Sequence, residues 1–348
     1  MTTPKSKTNT VGLTREEYKG GKSTLCPGCG HDSISNQIIS MAFELGIEQH
    51  KIVKMSGIGC SSKTPAYFLG RSHGFNAIHG RMPSVVTGAH LANQTLHTVA
   101  VSGDGDTGSI GFGQFKHLMR RNVPMLYVVE NNGVYGLTKG QFSATADEGA
   151  TIKYYGHNPL PPIDLALEAI IGGASFVARS FSGDAEQVRT LMKAAMNHRG
   201  TAVIDIISPC VTFNNDESST KSYSYGKANE APLHEIELLL SDYIAPRDEI
   251  TIGQYDAGGV MDVKMHDGAT IRLKKLDRDH NPRSKMQAIQ VLEEAQRNRI
   301  FITGLIYYEE PRPTLAQTFD ILDSLANLRE EKIRPSRQAL DDVLAAYK

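Results

Sequence analysis

Apolar and polar positions follow two rhythms along this chain. Between residues 31 and 47, Ile34, Ile38, Met41, Ala42 and Leu45 recur at helical spacing, which gathers them on one face of an α-helix. The same spacing marks 163–171, 185–197, 285–297 and 315–329. Further helices are expected over 109–121, despite its glycines, and at the C-terminus. Short, nearly unbroken apolar runs occupy 52–55, 98–101, 125–129, 175–178, 202–207 and 300–308, the length and character of strands buried on both faces. Strands that alternate with helices predict the α/β class, with a doubly wound, mostly parallel sheet covered on both sides. Ligands of such sheets bind beyond the carboxyl ends of the strands, and the unusual motifs of this sequence fall there.

Two polar stretches break the pattern. Residues 1–22 read as a loosely held N-terminal arm. Residues 212–232 are polar and nearly free of aliphatic side chains, and read as a linker or long surface loop. The expected organisation is therefore an arm (1–22), a main binding domain (23–232) and a C-terminal extension (233–348).

Composition narrows the function classes. Lys and Arg number 37 against 38 Asp and Glu, so the basic excess of a non-specific nucleic-acid binder is missing. No apolar run approaches the roughly 20 residues that span a bilayer, and the first ten residues have no apolar signal core. A cytoplasmic protein is expected, with no nucleic acid or membrane as partner. Only four cysteines occur, Cys26, Cys29, Cys60 and Cys210, too few for a disulfide scaffold in a chain of 348 residues. The Cys26-x-x-Cys29 spacing points to redox or metal chemistry.

The candidate chemistry begins at Gly103-Asp104-Gly105-Asp106, which follows an apolar strand and precedes a helix. Asn132, in Asn131-Asn132-Gly133, comes 28 residues after Asp104 at the end of the next strand. Either piece alone is a common turn; the pair, in this order and on these elements, suits a diphosphate held through Mg²⁺. Glycine lets backbone approach the phosphates, and N–H groups at a helix start face an anion. Mg²⁺ takes hard oxygen ligands, and the Asp104 carboxylate, the Asn132 amide oxygen and the carbonyl near Val134 are of that kind. A dinucleotide fingerprint fits less well, because Gly111-Phe112-Gly113 lies inside an expected helix and not in a strand-to-helix turn. Four thiolates suit an iron–sulfur cluster or zinc, and a thioredoxin-like pair would leave Cys60 and Cys210 idle. Cys60 sits in a glycine turn at a strand end near the diphosphate motif, where a redox centre has a purpose.

The G-D-G…N-N pattern resembles the thiamine diphosphate signature. The fuller stretch from Asn131 through Gly136-Leu137-Thr138-Lys139-Gly140-Gln141 resembles, more narrowly, the β subunit of 2-oxoacid:ferredoxin oxidoreductases. Cys26-Pro27-Gly28-Cys29-Gly30-His31, Gly57-Ile58-Gly59-Cys60-Ser61-Ser62-Lys63 and His79-Gly80-Arg81 point the same way, and the likeness covers about residues 20–230. It implies a thiamine diphosphate-binding fold in which 23–232 carries both that cofactor and a [4Fe–4S] cluster on Cys26, Cys29, Cys60 and Cys210. Mg²⁺ would rest on Asp104, Asn132 and Val134. Ile58, Gly59, Cys60, Ser61, Gly105, Asp106, Gly136 and Leu137 would meet the cofactor. Leu137 is a candidate prop, with core packing as its rival, and Lys139 a candidate for a substrate carboxylate. Lys63, His79 and Arg81 are weaker anion contacts, His31 orders its loop, and His90 and His117 read as structural.

The resemblance also implies an activity: coenzyme A-dependent oxidative decarboxylation of a 2-oxo acid, with electrons passed through the cluster to ferredoxin, in a reaction that also runs in reverse. No glutamate here matches the one such enzymes place beside the aminopyrimidine. In the family the α subunit supplies it, so this chain is expected to act only in a heterodimer or a dimer of heterodimers. Cys210-Val211-Thr212-Phe213-Asn214-Asn215 and Gly304-Leu305-Ile306-Tyr307-Tyr308 resemble members acting on 2-oxoglutarate; pyruvate or a broader range is the alternative. A non-redox thiamine enzyme and a zinc-stabilised assembly subunit are the rival readings.

Overall fold

The computed structural model describes residues 8–152, 155–239, 260–264, 270–275, 280–310 and 312–347. Its centre is an eight-stranded sheet built from β1 (Ile52–Ser56), β2 (His73–Asn76), β3 (His97–Gly103), β4 (Met125–Asn131), β5 (Phe176–Phe181), β6 (Thr201–Ile207), β7 (Glu230–Pro232) and β8 (Phe301–Tyr308). The spatial order is β7-β8-β5-β6-β4-β3-β1-β2. All neighbours run parallel except β8 against β5.

Side chains of a strand point alternately to the two faces, and the sequence honours that at every central strand. Val99 and Val101, Leu126 and Val128, and Ile204 and Ile206 join one core layer. Ala100, Tyr127, Val129 and Val203 join the other. The first layer is covered by α1 (Gly30–Glu44) and the second by α2 (Met82–Ala92), α3 (Phe112–Arg120) and α4 (Leu165–Gly172). The first layer also holds α5 (Ala185–Met196) through Val188, Leu191 and Met192. β4 and β6 are buried at every residue, as their unbroken apolar runs require. Among the described residues no helix is long and apolar enough to cross a membrane.

Four expectations are corrected. The part of the N-terminal arm that is described is not loose: Tyr18 is fully buried and its hydroxyl donates to the Ile47 carbonyl at 2.9 Å. The polar stretch 212–232 is not a linker. It turns back on the motif loops, pairs Lys221 with Asp147 at 3.2 Å and forms α6 (Tyr223–Asn229), capped by the Ser222 hydroxyl. Part of its polarity serves such contacts, the Asn214 amide also donating to the Asn132 carbonyl at 2.8 Å. Finally, the helix expected over 315–329 closes after Leu315–Thr318, since Phe319, Leu322 and Leu325 find no apolar surface to cover. The expected boundary at 232/233 also does not divide the sheet, because β8, completely buried, lies between β7 and β5. α7 (Lys285–Arg297) packs Ala288, Leu292 and Ala295 into the same core. The strands His234–Leu239, Val260–Lys264 and Thr270–Lys275 form a small antiparallel sheet between the two parts of this unit.

Candidate functional site

The carboxyl ends of β3 and β4 bring the two halves of the diphosphate motif together. Asp104, at the end of β3, is 1% exposed. Four donors converge on its carboxylate: the Asn132 N–H at 3.3 Å, the Gly133 N–H at 3.1 Å, the Thr145 hydroxyl at 2.6 Å and the Ser143 hydroxyl. Burial pushes its pKa up, and the Ser143 and Thr145 hydrogen bonds oppose that rise. The carboxylate is thus held ready-oriented on the loop after β4. The Asn132 side chain is itself fixed, since its amide oxygen accepts from the Val134 N–H at 3.0 Å.

The chain after Asp104 does not enter a regular helix at once. Residues Gly105–Ile110 form a π-helical turn, closed by the Gly111 N–H donating to the Asp106 carbonyl at 2.8 Å, before α3 begins. Such wide turns recur at functional sites. Gly105 is required there: a Cβ would lie 2.5 Å from the Tyr135 ring, whose hydroxyl donates to the Gly105 carbonyl at 3.1 Å.

Asp106, expected to meet the cofactor through its backbone, has a separate part for its side chain. Its side chain is a tie between three loops, accepting from the Gly80 N–H at 2.7 Å, the Ser102 hydroxyl at 2.6 Å and the Ile58 N–H at 3.4 Å, and pairing with His79. His79 is therefore committed to Asp106. Ile58 remains 38% exposed, Ser61 is buried against Gly103, and Gly59 takes a φ of +135° that only glycine adopts easily, turning the chain into Cys60.

The four cysteines, all free thiols, gather on the other side of residues 132–136. A Cβ placed on Gly136 would stand 3.5 Å from the Cys60 sulfur and 3.7 Å from that of Cys210. The Thr212 hydroxyl reaches the Cys26 sulfur at 3.5 Å. Cys29 opens α1. Burial pushes its thiol up to about 12, with the neighbouring Glu130 and Cys210 adding to the rise. Burial also raises Cys60 and Cys210, with Cys210 adding to the rise of Cys60 and Cys26 to that of Cys210. Neutral thiols so disposed ionise when a metal takes them as thiolates. Among the described residues, no three of His, Cys, Asp and Glu close on the position of a single ion. The thiols form a looser group beside Gly136, and four sulfur donors fit the chemistry of an iron–sulfur cluster.

His31 is buried between the two regions. Its Nδ1 lies 2.6 Å from the Ser208 hydroxyl and its Nε2 3.4 Å from the Asn132 amide nitrogen, and burial lowers its pKa to about 4. Leu137 is 49% exposed, so core packing does not account for it. Lys139 is exposed too, at a left-handed φ of 77°, uncommon for a residue with a Cβ. Lys63 lies close enough to Cys60 to act on it electrostatically, whereas Arg81 is exposed and turned to the Gly80 carbonyl. His90 is buried and His117 exposed. Sequence reasoning missed Ser143 and Thr145, which lie in an irregular loop with no periodic signal, and Asn131, whose partner Asp205 is 74 positions away.

Residues 57–206 match the family described as the thiamine pyrophosphate enzyme C-terminal TPP binding domain. The chain is 42% identical over 193 residues to a Sulfolobus 2-oxoacid:ferredoxin oxidoreductase subunit beta, a match that covers 54% of this chain and 62% of that protein. It is 36% identical over 190 residues to the 2-oxoglutarate synthase subunit KorB of Methanocaldococcus jannaschii, covering 54% of this chain and 69% of that one. The solved 2-oxoglutarate:ferredoxin oxidoreductase of Magnetococcus marinus, with 2-oxoglutarate, coenzyme A and succinyl-CoA bound, superposes with a TM-score of 0.70 at 31% identity, over 92% of this chain and 94% of that chain. The matched region thus spans less than two thirds of the Sulfolobus relative and nearly all of the solved chain. A thiamine-binding sheet with its diphosphate motif, four gathered thiols and these likenesses agree: this chain belongs to the 2-oxoacid:ferredoxin oxidoreductase β-subunit family.

Proposed function

We propose that this protein binds thiamine diphosphate, Mg²⁺ and one [4Fe–4S] cluster, and that with an α subunit it converts 2-oxoglutarate and coenzyme A to succinyl-CoA and CO₂, passing electrons to ferredoxin. One observation carries the reading. The short segment 132–136 touches Asp104 at its start and lies against the sulfurs of Cys60 and Cys210 at its end. A diphosphate-anchored cofactor and a thiolate-held redox centre would therefore share one wall.

Asp104, Asn132 and the Val134 carbonyl would hold Mg²⁺, and Cys26, Cys29, Cys60 and Cys210 the cluster. Bound thiamine diphosphate supplies an electron sink for decarboxylation. The chain's own residues orient it. Tyr135 packs on Gly105 and fixes the turn below the diphosphate. Asp106 fixes the turn carrying Ile58 and Gly59, and Leu137 offers an uncovered apolar side chain as a prop. Lys139, fully outside the fold's own ion pairs among the described residues, would meet the substrate carboxylate. The 2-oxoglutarate preference rests on the named relatives and on the 210–215 and 304–308 segments; much of the pocket would lie on the partner.

The test is anaerobic co-purification with the α subunit, followed by iron, zinc and thiamine analysis and a visible spectrum. The expected result is about four irons per chain and a broad thiolate–iron band that bleaches on adding 2-oxoglutarate with coenzyme A. Zinc without iron would reject the electron path. Iron without bleaching by 2-oxoglutarate, but with bleaching by pyruvate, would reject the substrate alone.

A further inference from the structure

Asp104 is tied to more than its own loop. A line of buried polar groups runs from it across four neighbouring strands. The Thr145 hydroxyl stands 2.6 Å from the Asp104 Oδ2 and 2.8 Å from the Asn131 Oδ1. The Asn131 amide donates to the Asp205 Oδ1 at 2.9 Å, and Arg179 donates through Nε to the Asp205 Oδ2 at 3.0 Å. Arg179 also pairs with Asp164, whose carboxylate caps α4 by accepting from the Leu167 N–H at 3.0 Å. Thr145, Asn131 and Asp205 are 2%, 3% and 1% exposed. Asn131 ends β4, Asp205 lies on β6 and Arg179 on β5, opposite Asp205 in register. Asp164 and Arg179 form, with Asn131, Thr145 and Asp205, part of the wall of a cavity of about 690 Å³.

Each link dictates the orientation of the next. Arg179 has only donors, so Asp205 must accept from it. An accepting Asp205 obliges the Asn131 amide to point its NH₂ at it, and this turns the Asn131 oxygen toward Thr145. The Thr145 hydroxyl owns one proton and faces two acceptors, Asn131 and Asp104. Contact with both oxygens fixes where that hydroxyl stands against Asp104, whichever of the two takes the proton. Nothing in folding alone calls for this arrangement at the end of β3: buried polar networks are stabilising only when complete, and apolar residues of the same volume would serve packing as well.

We propose that Thr145, Asn131 and Asp205, anchored by Arg179, are positioning residues that set the rotamer and hydrogen bonding of Asp104 for the metal–diphosphate group. This rests on the reading of Asp104 as a Mg²⁺ ligand. Groups hydrogen-bonded to a metal ligand orient it, and their loss commonly weakens metal binding about 10- to 100-fold. The relay accounts for why the carboxylate of Asp104 faces residues 132–133, and for why Arg179, on a strand as distant as β5, is paired with two carboxylates.

The experiment is a titration of the αβ complex with Mg²⁺ at fixed thiamine diphosphate, followed by circular dichroism, with the melting temperature of each metal-free variant recorded beside it. Thr145→Val, nearly isosteric, is expected to raise the half-saturating Mg²⁺ about tenfold, with Thr145→Ser staying within about twofold of the parent. Asp205→Asn, which frees the Asn131 amide, is expected to give a similar rise, and the double variant no more than either single one, because both cut the same line. Parent-like titrations for Thr145→Val, or equal losses for Val and Ser, would overturn the relay, as would effects that multiply in the double variant. Should Asp205→Asn fail to assemble, the contrast between Val and Ser decides alone. Asp104→Asn separates the two levels of the argument: if it leaves the Mg²⁺ requirement unchanged, the ligand assignment itself is wrong, whereas loss there with parent-like Thr145→Val rejects only the relay.

Discussion

Gly57 shows how much of this site depends on what a residue lacks. A Cβ at Gly57 would stand 1.9 Å from the Asp106 Oδ2, well inside contact distance. Asp106 has no room to retreat, because the same carboxylate holds Ile58, Gly80, Ser102 and His79. Gly57→Ala is therefore expected to cost about 1–3 kcal/mol, the usual range for overpacking, and to weaken thiamine diphosphate binding by loosening three loops together. Gly113→Ala makes the control, since a Cβ there meets nothing within 4 Å in α3, and Ala is favoured over Gly inside a helix by about 0.5–1 kcal/mol. Melting curves of the two variants should move in opposite directions; a shared direction would mean that Asp106 yields. The same residues mark the limit of what was legible in the chain. Asp104 and Asn132 announce themselves through glycine-flanked turns at strand ends. Asp106 was legible as part of the motif but not as a tie, because its partners at 58, 80 and 102 are brought to it only by the fold. Thr145 and Asp205 carried no signal at all: a hydroxyl in an irregular loop and a carboxylate inside an apolar strand read locally as nothing in particular.

Elements were read more faithfully than their assembly. The buried strands and the helices α1, α4, α5 and α7 lie within a few residues of their expected spans, because burial on both faces forces apolar runs and burial on one face forces helical spacing. α2 was overlooked and β2 with it: the four residues of β2 are all exposed at the sheet's edge, so no apolar run gives it away. β8 is the instructive case. Its apolar run was visible, but its place was not, since a strand that returns antiparallel to β5 after a long excursion leaves no local mark of its neighbour. This placement changes the expectation for shortening the chain. Cutting after Ala231 removes β8 and α7, which together bury Ile302, Leu305, Ile306, Tyr308, Leu292 and Ala288 in the shared cores. Single large-to-small changes in such positions cost about 2–5 kcal/mol each, comparable to a good part of a domain's whole stability. The truncated chain is expected to be insoluble or unfolded by circular dichroism even before the α subunit is offered. The milder variant Ile302→Ala should fold with a lowered melting temperature. A soluble, cooperatively melting truncation would show that β8 is an addition to the sheet and not part of its core.

At the scale of the whole molecule, the most telling surface is the one left uncovered beside the site. Ile58, Ile78, Ile110 and Leu137 are 38%, 75%, 46% and 49% exposed, on loops that meet one another. Ile58 and His79 meet through Asp106; Gly80 lies against Ile110; His79 packs edge-on to Tyr135, two positions before Leu137. Apolar side chains scattered singly need no explanation, but a contiguous group rimmed by polar loops marks a docking surface. The chain also offers no glutamate in a matching motif for the aminopyrimidine of a thiamine cofactor, and its relatives are named as subunits. The proposed α subunit is the occupant that would answer both observations. It would bury these side chains and close the cofactor space from the side this chain leaves open. A charge placed in the centre of such a contact must be desolvated on binding without a partner, which costs several kcal/mol. Ile78→Asp and Leu137→Asp are accordingly expected to cut recovery of the α subunit in co-purification by at least about tenfold, with the melting temperature of the isolated β chain unchanged, since neither side chain is packed in its core. Met286→Asp, equally exposed on α7 toward the opposite edge of the sheet, should leave recovery intact. If all three variants retain the partner equally, the apolar rim faces substrate or solvent, and the α subunit must be sought on another face. If Met286→Asp alone releases it, the interface lies along α7, and the cofactor site would then open directly to water, where water would compete with coenzyme A for the product of decarboxylation.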